Sequence, residues 1–297
     1  MILLVDFSQV VIANIMANFY KTPEKINDED TGLPITRHLV FDQLRRLKMM
    51  HSQEDLRVVI CCDGGYSWRR EFFPPYKARR RKNKTDDRFN WAKIHEYMTT
   101  VKQDIIDHFP YTVIENSKAE ADDIIGTLAK HFYEEGVVIV SRDNDFKQLQ
   151  RYPNVRQYNM IDDKWVVCED PKMELKNKVL SGDSGDDVPN VLSDDDTFIN
   201  DGKRQRPLGA KKLAEWEGKN LLDIIRLIRE DPKYKDVTIQ DNVIRNNHLI
   251  NLQCTPAEIQ ADIIEQFNAV KEVDRTKIYN FLYEANLIQL MHSVQQF

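Results

Sequence analysis

The stretch Val137-Val138-Ile139-Val140-Ser141-Arg142-Asp143-Asn144-Asp145 runs four apolar residues directly into a pair of carboxylates. An apolar run this short, ending in acid, reads as a parallel strand buried on both faces with polar groups at its tip. The pattern recurs in Leu3-Leu4-Val5-Asp6 and in Val58-Val59-Ile60-Cys61-Cys62-Asp63. Two further acidic clusters, Glu120-Ala121-Asp122-Asp123 and Asp183-Ser184-Gly185-Asp186-Asp187, sit at a helix start and in a polar turn. In open α/β sheets the strand C-terminal ends border the ligand crevice, so these acids are expected to converge. Converging carboxylates cannot all stay ionised unless a cation balances them. A hard divalent metal is the expected balance, and phosphate chemistry follows from it.

Working outward, hydrophobic patterning predicts strands at 2–5, 57–62, 111–114 and 137–141, with helices at 8–18, 35–51, 91–108 and 120–134 and a short one at 144–150. Strands at 155–158 and 164–168 are expected to pair as a hairpin across Asp162-Asp163. This alternation predicts an α/β fold with a mainly parallel central sheet and helices on both faces. Beyond Asp170 the pattern is helical, near 171–181, 211–217, 219–230, 240–251, 256–268 and 274–290. The division is therefore an α/β body over 1–180 and a helical C-terminal region over 181–297 that packs against it. Two connections are long. Residues 64–90 form a basic loop of a size that is usually functional. Residues 193–207 run acidic, then basic, and are expected to be a mobile excursion.

With 297 residues, 41% apolar and 30% charged, the chain has ordinary globular composition. No stretch approaches the ~18 apolar residues of a membrane span, and the first apolar run meets Asp6 too early for a signal peptide. The four cysteines include no CxxC pair, so a zinc site is not expected and reduced thiols in a cytoplasmic protein are. Net charge is −6, yet Arg69, Arg70, Lys77, Arg79, Arg80, Arg81, Lys82 and Lys84 stand against the single acid Glu71 between Tyr66 and Lys84. That window carries +7 and leaves −13 for the rest. Such segregation suits a protein that holds metal ions in one place and a polyanion in another.

Any one Asp at a strand end or helix start is more often a cap or turn former. The joint placement is what argues for metal. Asp6 and Asp63 end strands, and Asp143 and Asp145 follow another. Glu120, Asp122 and Asp123 open a helix whose apolar face is Ala121, Ile124, Ile125, Leu128 and Phe132. Asp183 and Asp186 come from a turn. Magnesium takes only a few carboxylates directly and keeps several waters. Two-metal hydrolysis needs acids from several segments, because the ions flank one phosphate ~4 Å apart. In the basic window Tyr66, Trp68, Phe72, Phe73 and Tyr76 interleave with the cations. Cations neutralise phosphates and aromatic rings stack on unpaired bases; the plainer reading is a solvated basic loop with some aromatics tucked into the core.

Taken together, Val5-Asp6-Phe7-Ser8, Cys62-Asp63 with Trp68-Arg69-Arg70, Tyr76-Lys77, Glu120-Ala121-Asp122-Asp123, Ser141-Arg142-Asp143-Asn144-Asp145-Phe146 and Gly182-Asp183-Ser184-Gly185-Asp186 resemble the flap endonuclease, or 5′-3′ exonuclease, family of structure-specific 5′ nucleases. The likeness covers nearly the whole chain and is nearest to the family's phage ribonuclease H branch. It implies a PIN-like nuclease body and a helix–three-turn–helix after Gly182. It implies two Mg2+ ions, replaceable by Mn2+: Asp6, Asp63, Glu120, Asp122 and Asp143 around the first, Asp145, Asp183 and Asp186 around the second, with Asp123 close by. It places Arg69 and Lys77 in an arch that holds the scissile phosphate. Arg70, Tyr76, Arg79, Arg80, Arg81, Lys211 and Lys212 are implied substrate contacts.

The implied activity is hydrolysis from 5′ ends and at 5′ flaps of DNA and RNA·DNA duplexes, with removal of RNA primers during lagging-strand replication. Implied partners are flapped, forked or nicked nucleic acid, a single-strand-binding protein and a sliding clamp, with the chain a monomer in the cytoplasm (a bacterial host's, if phage-encoded). One departure stands out. Where the family often has Asp-Asn-x-Pro-Gly, this chain has Asp186-Asp187-Val188-Pro189-Asn190. Asn190 is expected to take the left-handed conformation in place of Gly. Three rival readings remain: a PIN-like ribonuclease, a DxD phosphatase (disfavoured because position 8 is Ser8), and a non-catalytic binder of branched DNA.

Overall fold

The computed structural model describes residues 1–51, 55–82, 88–269 and 274–297. Its centre is a six-stranded sheet built from β1 (Ile2–Asp6), β2 (Arg57–Cys62), β3 (Thr112–Glu115), β4 (Val137–Val140), β5 (Val155–Asn159) and β6 (Lys164–Val166). The strand order is β3-β2-β1-β4-β5-β6, and only β6 runs antiparallel. Chain direction across the sheet reverses at β1, whose neighbours β2 and β4 lie on opposite sides. That is where a crevice opens beyond the strand tips. The register puts Asp6 beside Cys61 and Val5 beside Val140, so Asp6, Asp63 and Ser141 emerge together.

Helices cover both faces because their apolar stripes must be buried against the sheet. One face packs on α1 (Phe7–Phe19), α2 (Glu29–Met50) and, past two short turns α3 (Arg69–Phe72) and α4 (Ala78–Lys82), on α5 (Trp91–His108). The other face packs on α6 (Ala121–Phe132). The helix expected from 35 begins at Glu29, because Asp28 accepts from the Asp30 amide and the Thr31 hydroxyl and caps it there. A 3₁₀ segment, Asn144–Arg151, follows β4.

The C-terminal region contains α7 (Pro171–Ser181), α8 (Ala210–Glu215), α9 (Leu221–Glu230), α10 (Ile239–Ile250), α11 (Ala257–Asn268), α12 (Arg275–Glu284) and α13 (Ile288–Met291). It does not behave as one unit. Residues from Val179 to Val243 enclose their own core around Trp216, Ile224 and Ile228. Helix α11 returns to one sheet face through Ile259, Ile263 and Phe267, and α12 with the tail returns to the other through Ile278, Leu282 and Phe297. Phe297 is buried against Phe109. The 193–207 excursion is pinned. Lys203 bonds Asp194 and Asp196, Arg206 pairs with Asp236, and Asp195 pairs with Arg245. Among the described residues the four cysteines are free, and no helix is long and apolar enough to cross a membrane.

Candidate active site

At the switch point lies a cleft of about 840 Å³ lined by seven carboxylates, Asp6, Asp63, Asp122, Asp143, Asp145, Asp183 and Asp186, against the cations Lys77, Arg80 and Arg142. The sheet supplies the first wall. Asp6 ends β1, where its Oδ1 accepts from the Gln9 amide (3.2 Å) and its Oδ2 from the Ser141 hydroxyl (3.2 Å). Asp63 accepts from Ser8 Oγ at 2.7 Å and from the Ala121 amide at 2.9 Å, which joins the tips of β1 and β2 to the start of α6. Gly64 permits that approach, since a Cβ there would stand 2.0 Å from the Asn116 carbonyl oxygen. Asp143 caps the 3₁₀ turn by accepting from the Asp145 amide at 2.9 Å. Buried Gln157 donates to the carbonyls of Ser141 and Asp143 and fixes that turn from below.

The second wall is the Asp183–Asp187 turn. Asp183 accepts from the amides of Gly185 and Asp186, and Lys178 pairs with both Asp183 and Asp145. The left-handed residue of this turn is Asp187 (φ 60°), not Asn190 as expected. Asn190 is buried, and its side chain accepts from the Leu192 amide and the Ser193 hydroxyl and donates to the Arg206 carbonyl. An Asx-type turn thus does the work that Gly would have done.

Charge in the cleft is strained. Burial, and then the neighbouring Asp63, push Asp6 up to about 7. Burial also drives Asp122 well above the usual carboxylate range, with Asp143, Glu120 and Asp6 adding to it against the pull of Lys77. Asp186 is raised by burial despite Lys77 and Arg80. For Asp183 burial is outweighed by Lys178 and the backbone amides, which hold it low. Raised acids beside one another are what a bound counter-cation would relieve. The donors are all oxygen, as hard cations require. Among the described residues no three His, Cys, Asp or Glu side chains stand close enough together to hold one metal ion directly.

Three expected site residues lie elsewhere. Arg69 is not free to hold a phosphate: it is 2% exposed, bonds both oxygens of Asp123 at 2.8 and 2.9 Å, and donates to the Leu249 carbonyl. Asp123 is fully buried under α6, where it also accepts from Thr255 and from the Glu120 amide, and does not line the cleft. Glu120 is just behind the lining, bonded to Lys77 Nζ (2.6 Å) and to the Tyr76 hydroxyl (2.8 Å).

The basic segment is therefore less of a free arch than its composition predicted. Trp68, Phe73 and Tyr76 are buried, while Tyr66 and Phe72 are exposed. Tyr76 is consequently a support for Glu120 and Asp186 rather than a stacking platform. Lys77 and Arg80 reach the cleft, whereas Arg79 turns to Asp187. Arg70 lies by the Tyr66 ring. Lys211 and Lys212, on α8, do not line the cleft. Lys84 and the side chains of Arg81 and Lys82 fall outside the described residues. Sequence reasoning assigned no role to Ser8, Gln9, Ser141, Lys178 or Gln157. The last lies in β5, Val155-Arg156-Gln157-Tyr158-Asn159, where strand alternation sets it on the same face as buried Val155.

Known proteins resemble this chain in sequence and in fold. The family described as 5′-3′ exonuclease, N-terminal resolvase-like domain, matches residues 1–179, and that described as T4 RNase H, C terminal, matches residues 169–297. The chain is 31% identical over 304 residues to ribonuclease H of Enterobacteria phage T4, covering 100% of this chain and 95% of that protein. In fold it resembles a T5 5′-exonuclease with bound zinc, with TM-score 0.65 and 18% identity over 91% of this chain and 99% of that one. It also resembles the bacteriophage T5 flap endonuclease in a pseudo-enzyme-product complex with DNA and metal ions (TM-score 0.64, 19% identity, 96% and 99% covered).

Proposed function

The chain belongs to the 5′-3′ exonuclease family, and on that premise we propose that it is a magnesium-dependent, structure-specific 5′ nuclease. Its substrates in this reading are 5′ ends and 5′ flaps of DNA and RNA·DNA duplexes, and its task is removal of RNA primers during replication. The observation that carries the reading is one cleft, at the sheet's switch point, gathering seven acids with Lys77 and Arg80. Asp6, Asp63, Asp122 and Asp143 would hold one divalent ion, and Asp145, Asp183 and Asp186 the other. When bound, such a pair supplies an acidified water and Lewis-acid stabilisation of charge on the leaving oxygen.

The chain's own groups do the positioning. Ser8 and the Ala121 amide orient Asp63, and Ser141 and Gln9 orient Asp6. Among the described residues Lys77 and Arg80 are the cations of the basic segment that line the cleft, and they would face a bound phosphate, where fixed positive charge is most effective. Glu120 and Asp186 hold Lys77 between them. A single-strand-binding protein and a sliding clamp are the proposed protein partners, and the enzyme acts as a cytoplasmic monomer.

Digestion of a 5′-labelled flap with and without Mg2+ tests this. Short products with 5′-phosphate and 3′-hydroxyl ends are expected only with the metal. Asp143→Asn is expected to abolish cleavage yet retain flap binding in Ca2+; undiminished turnover would remove Asp143 from the site. Preferential cutting of hairpin RNA over flapped DNA would favour the PIN-like ribonuclease instead.

A further inference from the structure

We propose that Arg79 is a positioning residue rather than a phosphate contact: clamped between Asp187 and Phe198, it holds the segment carrying Lys77 and Arg80 over the acidic cleft. The inference rests on the nuclease reading and refines how its phosphate-facing cations are set in place. Composition alone groups Arg79 with its basic neighbours. The geometry separates them. Arg80 is 61% exposed, pairs with Asp186 at 2.7 Å and lines the cleft. Arg79 does not line it. Its amide donates to Asp187 Oδ2 at 2.7 Å, its Nε pairs with the other Asp187 oxygen, and its Nη2 donates to the Ser184 carbonyl. The Phe198 ring stands 4.3 Å from the guanidinium carbon. Of the five donors that a guanidinium carries in a fixed fork, those on Nε and Nη2 serve the turn, although the side chain is 41% exposed.

Backbone conformation says why the clamp is needed. Lys77 has φ 53° and Asp187 has φ 60°, both left-handed and both non-glycine. Residues in that region persist only where the surroundings over-determine them. The Lys77 amide donates to the Asp186 carbonyl at 2.9 Å, so the two unusual residues sit on facing segments of one contact. Asp187 is 1% exposed, and Arg79 is the one cation paired with it among the described residues. Without Arg79 a buried carboxylate is left unpaired, the contact opens, and Lys77 relaxes away from Glu120 and the cleft. Phe198 comes from the 193–207 excursion, which is itself tied down by Arg245, Lys203 and Arg206. That stretch is thus the lid of the clamp.

The test compares single-turnover cleavage of a 5′-flap duplex in Mg2+ with flap binding in Ca2+ across a salt series. Arg79→Ala is expected to slow cleavage about tenfold to a hundredfold, the scale of a misplaced catalytic group, with Kd and its salt slope unchanged. Phe198→Ala is expected to slow cleavage less, again without altering the slope. If Arg79→Ala folds poorly, the neutral pair Arg79→Gln with Asp187→Asn keeps the hydrogen bonding between positions 79 and 187 without a stranded charge, though not the bond to the Ser184 carbonyl, and is expected to recover most of the rate. A slope reduced by ~0.9, as loss of one phosphate contact gives, together with weakened binding and a neutral pair no better than Arg79→Ala, would overturn the proposal. A wild-type protein that cuts no 5′ substrate would instead overturn the nuclease reading and this inference with it.

Discussion

Replacing Arg69 with Met leaves Asp123 wholly shielded from water and without its cation. Breaking a buried pair from one side typically costs about 3–5 kcal/mol, so Arg69→Met is expected to lose that much in urea unfolding; a loss under about 1 kcal/mol would mean that the pair is dispensable. The acid limb gives a second handle. Burial raises Asp123, but Arg69, the Glu120 amide and Thr255 outweigh it and hold its pKa low. A carboxylate depressed on folding contributes stability above its unfolded pKa of about 3.9, and this is lost as pH falls through the folded value. Wild type should lose this contribution below about pH 4, and Arg69→Met should lack it. The sequence showed that Arg69 and Asp123 are charged but not that they meet: they are 54 positions apart, and burial of an ion pair leaves no local pattern. The acids at strand tips were legible because an apolar run dictates where its last residue emerges.

The turn from Gly182 to Asp187 is the element on which the second wall of the cleft depends. Gly182 has φ 68°, and a Cβ there would stand 2.3 Å from the Val188 carbonyl oxygen and 2.5 Å from the Pro189 carbonyl. Gly182→Ala is expected to cost at least about 1–3 kcal/mol from the backbone conformation alone and to slow cleavage by displacing Asp183 and Asp186. A variant with wild-type melting and rate would show that the turn adapts. The strands β1, β2 and β4 were read to within a residue, since continuous apolar runs have sharp ends, whereas β6, expected over 164–168, ends at Val166. Helix ends were not. The helix expected over 274–290 breaks into α12 and α13 because Asn286 turns left-handed (φ 56°) and Leu287 donates back to the Leu282 carbonyl. The excursion at 193–207 read as mobile because its acids and bases looked solvent-facing; they pair with each other, with α10 and with Asp236 beyond α9.

For the molecule as a whole, a crowd of carboxylates on one rim would couple folding to the binding of a cation. A ligand that binds only the folded state stabilises it by mass action, by about 2.7 kcal/mol at a hundred times its Kd. Mg2+ should therefore raise Tm, and Asp143→Asn should blunt the gain; an unchanged melting curve at saturating metal would count against the cleft as a cation site. A mainly parallel sheet and the convergence of acids beyond its strand tips could be anticipated from the sequence. The return of α11 and α12 to opposite faces of the sheet could not, because an amphipathic helix shows that it has a buried face without showing what covers it. The most direct measurement is anomalous diffraction from crystals soaked in Mn2+. Two peaks are expected in the cleft, one among Asp6, Asp63, Asp122 and Asp143 and one among Asp145, Asp183 and Asp186, whereas a cleft with no peak beside those oxygens would contradict the account.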